Sequence, residues 1–445
     1  MASVPFLGHR GRSDIIALRG PRALRVDDYL TDTAQLAAAL PERKYVVNLC
    51  GDRYRFAVAL AAAMTREQIC LLPPAQTPQL LLSLSRRYAG LYAVCDGPVD
   101  VPLECVSYPQ TSSSDVAPRE IAFPAAQIAA IAFTSGSTGE PTANPKTWGH
   151  LIAGAAAEAS RFGLSAEERI TLVGTVPAQH MYGFESTVLM ALHNGLILHA
   201  GRPFYPADVR DALTEATGER VLVTTPVHLR ALLAEEKSLP TLRLIVCATA
   251  PLPTEMAAEA EARYGAPVHE VYGFTEAGMV ATRRTTEGPR WTALPGVELR
   301  EDKTGVWVYG GHVPAAVTAT DVLELVDAGT FILHGRNADL INVAGKRTSL
   351  AYLNQQAISI AGVSDAVFHM PDEHAGQVTR VMAFVVAPSL SRERVLSALR
   401  ERIDAAFLPR PLYLVDALPR NATGKITRDA LLELARKCAR RRNVD

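Results

Sequence analysis

The chain has 445 residues, of which 48% are hydrophobic, 20% charged and 6% aromatic, with 45 basic against 46 acidic side chains. That is the composition of a globular protein of two or three domains, large enough to need no disulfide staples. A net charge of −1 excludes a global field that would draw the chain to nucleic acid or to an anionic membrane. Cys50, Cys70, Cys95, Cys105, Cys247 and Cys438 form no C-x-x-C pair, which argues against a zinc site or disulfide framework and for a reducing, cytoplasmic setting. No signal-peptide core follows the N-terminal charges, and no run reaches the roughly 18–20 apolar residues that span a bilayer. The basic stretch Arg436–Arg442 reads as the solvated end of a last helix, where cations suit the dipole.

In chain order, Tyr45–Leu72 reads as strand, helix and strand, and the Ser/Pro-rich segment Pro109–Arg119 as a loop. The short apolar runs Ile128–Phe133, Ile170–Val173, Val221–Val223 and Leu242–Cys247 alternate with helical patterns such as Ile152–Arg161 and Glu255–Tyr264. This alternation predicts parallel sheets covered on both faces. After about residue 295, Gly305–Tyr309, Val322–Val326 and Thr330–His334 predict an antiparallel sheet or small barrel. A helix at Leu353–Ile360, a strand at Val381–Val386, a helix at Arg392–Ala406 and a last helix from Asp429 follow. The expected fold is α/β: a large N-terminal domain of doubly wound sheets with a small β-rich part over 1–335, a hinge at 336–339, and a smaller mobile C-terminal α+β domain over 340–445.

The sharpest local feature is Thr134-Ser135-Gly136-Ser137-Thr138-Gly139-Glu140-Pro141, directly after an apolar strand. A loop this rich in Gly, Ser and Thr can turn backbone N–H groups and hydroxyls toward phosphate oxygens. Neither Gly136 nor Gly139 begins G-x-x-x-x-G-K-[ST], so it is not a Walker A loop. The bland alternative is a flexible surface loop, but ligands of α/β sheets tend to bind where a strand ends.

TSGSTGEP resembles the phosphate loop of the adenylate-forming superfamily, which includes acyl- and aryl-CoA synthetases, luciferases and the adenylation domains of peptide synthetases. The likeness continues in order along the chain. Pro177-Ala178-Gln179-His180-Met181-Tyr182-Gly183 resembles P-x-x-H-x-x-G, Ala248-Thr249-Ala250-Pro251-Leu252 the adenine-side loop, and Tyr272-Gly273-Phe274-Thr275-Glu276 matches Y-G-x-T-E. Thr318-Ala319-Thr320-Asp321 resembles T-G-D, Gly335-Arg336 through Gly345-Lys346-Arg347 the G-R-x-x-D…G-x-R stretch, and Pro419–Ile426 the closing P-R-x-x-x-G-K-I.

The resemblance implies activation of a carboxylic acid by ATP and Mg2+ to an acyl-AMP, then transfer to the thiol of coenzyme A or of the phosphopantetheine arm of an acyl carrier protein. Joining two anions at the α-phosphate is mainly a matter of positioning and electrostatic stabilisation. By the same resemblance Thr134, Ser135, Gly136, Ser137, Thr138 and Gly139 hold phosphates, Glu276 holds magnesium and Thr275 lies near the α-phosphate. Tyr272 flanks adenine, Asp321 accepts from the ribose hydroxyls with Arg336 beside it, and Lys425 brings its charge to the carboxylate and α-phosphate. His180, Thr225, Ala248, Ala250 and Gly273 are expected around the acid. The small side chains there leave room for a flat ring, and the expected substrate is an aryl acid such as a hydroxybenzoate or hydroxycinnamate.

Five positions depart from the pattern. Thr142 stands where the loop lysine is usual, and Lys146 is expected to reach back from a longer loop. Ala319 replaces the glycine of T-G-D, Ala338 replaces the usual polar hinge residue, and Tyr352 and Asn354 replace an acidic pair. The shortened N-terminal region and TANPKTW resemble the compact ligases found beside aryl-polyene pigment biosynthesis. The alternatives are a non-catalytic nucleotide-binding scaffold of the same fold and a ligase for medium-chain fatty acids.

Overall fold

The computed structural model describes residues 3–9, 11–73, 75–108, 120–134, 142–336, 340–343, 346–371, 380–421, 424 and 426–442. Ser135, Gly136, Ser137, Thr138 and Gly139 of the phosphate loop, Lys425, hinge positions 337–339, Gly345 and the loop Pro109–Arg119 lie outside the described residues, as does the side chain of Arg336. No described helix is long and apolar enough to cross a membrane.

Two large sheets organise the first three quarters. Tyr45–Asn48, Ile69–Leu72, Tyr92–Cys95 and Ile128–Thr134 are short, nearly unbroken buried strands in the parallel part of a six-stranded sheet, as expected for strands covered on both faces. Thr142–Thr147 runs antiparallel to Ile128–Thr134 at its edge. An edge suits a strand containing Pro145, because proline cannot donate to a ladder on both sides. The longer loop expected at Thr142–Lys146 is thus a strand, with Lys146 opposite Ala130.

The second sheet has eleven strands. Its centre, Ile15–Arg19, Ile197–His199, Ile170–Gly174, Glu219–Thr224, Leu244–Cys247 and Val268–Phe274, is parallel throughout. Alternate side chains divide between two cores: Val221, Val223 and Val246 face the first sheet, while Leu222 and Ile245 meet the helices Pro206–Glu215, Pro226–Leu233 and Thr254–Tyr264 on the far side. Between the sheets lies the helix Arg53–Thr65, buried from Arg53 to Met64 except at Arg55. A helix apolar nearly all round must be interior, and Asp52 starts this one by accepting from Arg55 N at 2.9 Å.

The later strands divide differently from expectation. Gly305–Gly310 pairs with Val297–Asp302 and Val317–Thr318 in a three-stranded sheet, whereas Asp321–Asp327 and Thr330–Arg336 extend the eleven-stranded sheet. The link is Arg290–Ala293, where Trp291 stands opposite Phe331 and the rings stack 8° from parallel. Strand pattern alone shows neither partner. Beyond residue 340 a separate core gathers Leu353, Phe368, Val385 and Leu399. The helix expected over Arg392–Ala406 stops at Arg400, because Asp404 caps a new short turn by accepting from Ala406 N.

Two predictions follow from packing. Glu158, on the helix Trp148–Arg161 between the sheets, is wholly buried, and burial pushes its carboxyl up to about 8 against the opposing Ser186 hydroxyl. A carboxyl whose pKa is raised on folding holds its proton more tightly in the native state, so stability falls as pH rises toward the folded value. Glu158→Gln is expected to raise the unfolding midpoint by on the order of 2 °C or more at about pH 9 and by less at about pH 6, measured by calorimetry. Second, a Cβ on Gly273 would lie 2.4 Å from the Gly278 carbonyl oxygen and 2.9 Å from Met279 Cα. Gly273→Ala is expected to cost about 2–3 kcal/mol in a denaturant titration, since backbone rather than a flexible side chain must move.

Candidate active site

In a parallel sheet the carboxyl ends of the strands lie on one side, and crevices there bind ligands. The expected motifs meet at that edge. Thr175–His180 follows Ile170–Gly174, Thr225 follows Glu219–Thr224, Ala248–Ala250 follows Leu244–Cys247, and Thr275–Glu276 follows Val268–Phe274. Segments separated by up to a hundred residues are neighbours because adjacent parallel strands end together.

On the nucleotide side the Tyr272 hydroxyl donates to Asp321 Oδ2 at 2.7 Å. Asp321 is in register with Arg336 across the last hairpin of the sheet, so the T-x-x-D and G-R motifs meet through the backbone. The Tyr272 ring is 7% exposed, with edge contacts to Trp291 and Phe331. Its ring and hydroxyl therefore orient Asp321 from beneath. Thr134 ends its strand opposite Thr142, so the phosphate loop joins two hydrogen-bonded strands.

Thr275 and Glu276 occupy the turn between Val268–Phe274 and Gly278–Arg284, where a bulge falls between Tyr272 and Gly273. Gly273 is exposed, but its missing Cβ serves close passage of the returning strand first, rather than only leaving space for a ring. The Lys146 ammonium is buried and donates to the Glu276 carbonyl oxygen at 3.0 Å. Burial lowers its pKa, while the Glu185 and Glu276 carboxylates oppose that shift. Burial in turn pushes Glu185 up to about 7, with Lys146 opposing.

On the acid side His180 caps the turn Met181–Gly183, its Nδ1 accepting from Tyr182 N at 3.2 Å. Thr225 is almost completely buried and pairs its hydroxyl with His228 Nδ1 at 2.9 Å. Its side chain thus starts the helix Pro226–Leu233 and shapes the wall through backbone placement. Ala248 is buried and Ala250 half-buried. Between them Thr249 has φ 81°, a left-handed conformation that a β-branched residue adopts only when its surroundings require it.

The C-terminal domain reaches this crevice. Arg420 makes a two-pronged ion pair with Asp365, both contacts 2.7 Å, and donates to the Gly424 carbonyl at 2.6 Å. A Cβ on Gly424 would lie 3.0 Å from Val227 Cγ2, so the closing motif rests two residues from Thr225.

Sequence reasoning missed Glu185 and His312. Glu185 alone had a legible signal, as the single charged residue of the stretch Met181–Leu192. Among the described residues no group of three His, Cys, Asp or Glu side chains could form a metal cage.

Residues 35–306 match the AMP-binding enzyme family and residues 354–425 the AMP-binding enzyme C-terminal domain. The 2-succinylbenzoate–CoA ligase of Bacillus velezensis is 26% identical over 446 residues, covering 90% of this chain and 87% of that protein. The 4-coumarate–CoA ligase of Rhodobacter capsulatus is 28% identical over 300 residues, 66% of this chain and 74% of that protein. The solved o-succinylbenzoate CoA synthetase of Bacillus subtilis, in complex with its acyl-adenylate intermediate, has a TM-score of 0.81 at 18% identity and covers 97% of this chain and 98% of that one. Motifs ordered along the sequence, gathered at one sheet edge and matched across more than half of the chain by the family, have one explanation: the chain belongs to the AMP-binding enzymes, the adenylate-forming superfamily.

Proposed function

We propose that this enzyme activates an aryl carboxylic acid as its acyl-AMP and passes the acyl group to a thiol. In the first step an acid oxygen attacks the α-phosphorus of ATP, the bond to the bridging oxygen breaks, and pyrophosphate leaves. In the second the thiol sulfur attacks the acyl carbon, the thiol proton passes to solvent, and AMP leaves. The observation that carries this reading is the seating of Gly424 on Val227 beside Thr225. It brings the closing motif to the crevice, and Lys425, the next residue in the chain, is assigned to the acid carboxylate and α-phosphate.

Asp321, oriented by Tyr272, accepts from the ribose hydroxyls, a task for which a carboxylate has several lone-pair sites. Glu276 offers a hard oxygen on the turn that Lys146 holds. That donor set fits magnesium carried on ATP phosphates, which needs only one or two protein carboxylates; when bound, the ion would neutralise charge on the phosphates. The small residues Ala248 and Ala250 and the aryl acids in the names of the two CoA-ligase relatives support an aryl substrate. The same names support coenzyme A as the thiol, with a carrier-protein arm the alternative acceptor. Residues 1–335 would form the nucleotide and acid domain, 340–445 the lid, and 336–339 the hinge about which the lid turns between steps.

ATP–pyrophosphate exchange tests the reading across benzoates, cinnamates and fatty acids of increasing length. Exchange is expected with an aryl acid and is expected to fall about 100-fold or more in Lys425→Ala; exchange with long-chain fatty acids alone would sink the aryl assignment. Arg420→Ala, which frees the loop before Lys425, is expected to lower kcat for exchange by about 10–100-fold while KM for the acid stays within about twofold.

A further inference from the structure

Three side chains outside the family motifs hold the Thr275–Glu276 turn and the start of the strand that leaves it, Gly278–Arg284. From the first sheet, Lys146 donates to the Glu276 carbonyl oxygen at 3.0 Å and is 5% exposed. From the helical segment Phe184–Leu189, Glu185 places Oε1 where a Cβ on Gly278 would meet it at 3.1 Å, and Gly278 itself has φ 81°. Buried His312, which follows the strand Gly305–Gly310, has Nε2 2.6 Å from the Met279 carbonyl oxygen. A carbonyl only accepts, so that nitrogen carries the proton.

We propose that Lys146 is a positioning residue for Glu276: by holding the Glu276 carbonyl it fixes the peptide plane and so the direction in which the carboxylate leaves the turn. This rests on the reading above, in which Glu276 receives the magnesium of MgATP. Lys146 replaces the loop lysine in charge but not in place. It stands four residues after Thr142, within a paired strand, and its Nζ is committed to a backbone oxygen of another sheet. A lysine serving only to fill the core would have no need of a buried ammonium, since a methionine would fill the same space without the desolvation cost. What the ammonium adds is a charge-assisted hydrogen bond to one chosen carbonyl, with the Glu185 and Glu276 carboxylates opposing the burial that disfavours the charged form. Residues that orient a metal-binding carboxylate from behind typically alter metal affinity by about 10–100-fold when removed.

Lys146→Met keeps the stem and removes the donor. In the full-length enzyme it is expected to raise the magnesium concentration for half-maximal exchange about tenfold, leave KM for the acid within about twofold, and leave calorimetric ATP binding in EDTA unchanged. Lys146→Arg, which can still donate, is expected to recover most of the loss. Equal weakening of ATP binding with and without magnesium would assign Lys146 to the phosphates and overturn the proposal, as would an unmoved magnesium dependence. If Lys146→Met does not fold, Glu185→Gln replaces it, with a rise of about threefold expected in the same magnesium titration and an unmoved value overturning the proposal. Wild-type enzyme lacking exchange with every acid would overturn the functional reading instead, while the calorimetric comparison with and without magnesium would still decide the role of Lys146.

Discussion

The site depends on one change of direction. The second sheet is parallel from Ile15–Arg19 to Val268–Phe274, and the strand after that, Gly278–Arg284, returns antiparallel. A parallel neighbour is reached by a long crossover, but an antiparallel one needs a tight turn. That turn therefore stands at the carboxyl edge, the edge where the other strands release their ligand-facing loops. Its tightness demands backbone at contact distance, which Gly273 permits by lacking a Cβ and Gly278 by adopting φ 81°. Tightness also takes the Glu276 carbonyl out of the ladder. Left without a donor in a buried place, such a group costs about 1–3 kcal/mol; Lys146 supplies the donor from the other sheet.

Buried charge is used repeatedly where the two sheets must keep a fixed relation. Arg53, fully buried at the start of the central helix, donates to the carbonyls of Gly174 and Val176, both 2.6 Å away, and to that of Gly201. Those carbonyls lie at the ends of strands in the second sheet, while the helix rests on the first. Gln179 makes the reverse connection, donating to the Cys50 carbonyl at 2.6 Å. Apolar packing would hold the layers together more cheaply, because desolvating a charge often exceeds its Coulombic gain. Directional bonds add registry: one arrangement satisfies the guanidinium and its carbonyls, and sliding a layer by an ångström or two breaks several at once. The crevice between the layers inherits that precision.

The strand ends and the motifs on them were legible because each is a local pattern, an apolar run followed by Gly, Thr or a charged residue. Periodicity placed Ile170–Val173, Val221–Val223 and Leu242–Cys247, and motif order assigned Thr275, Glu276 and Asp321 to one nucleotide. The strand at Thr142–Thr147 was not legible, since proline, asparagine and lysine describe a loop until an edge position explains them. The roles of Lys146, Glu185 and His312 are pairwise and long-range. Lys146 contacts a residue 130 positions away, and no spacing within one segment encodes that. Nor could the sequence separate the two uses of Gly273, because an open pocket wall and a crossing backbone both exclude a side chain.

The contact between the two domains is economical in the way a two-step reaction requires. At the crevice the closing motif touches the larger domain through Gly424, a residue without a side chain, set on Val227. That one contact buries little apolar surface and adds little stability, since each buried methylene is worth roughly 0.8 kcal/mol. The strong interactions lie within the lid, where Asp365 and Arg420 fix the loop before Lys425. Across the boundary, Arg230 is favoured by the Asp365 charge and disfavoured by Arg420, so attraction and repulsion partly cancel. A lid rigid inside and loosely held outside can keep its lysine aimed while remaining free to leave. Occupancy of the closed pose then depends on what fills the crevice, because a ligand shifts such an equilibrium only by its difference in affinity for the two states. If Lys425 completes the contacts of ATP and the acid, as proposed above, those two ligands would supply that difference in the first step, and part of it would be lost once pyrophosphate has gone.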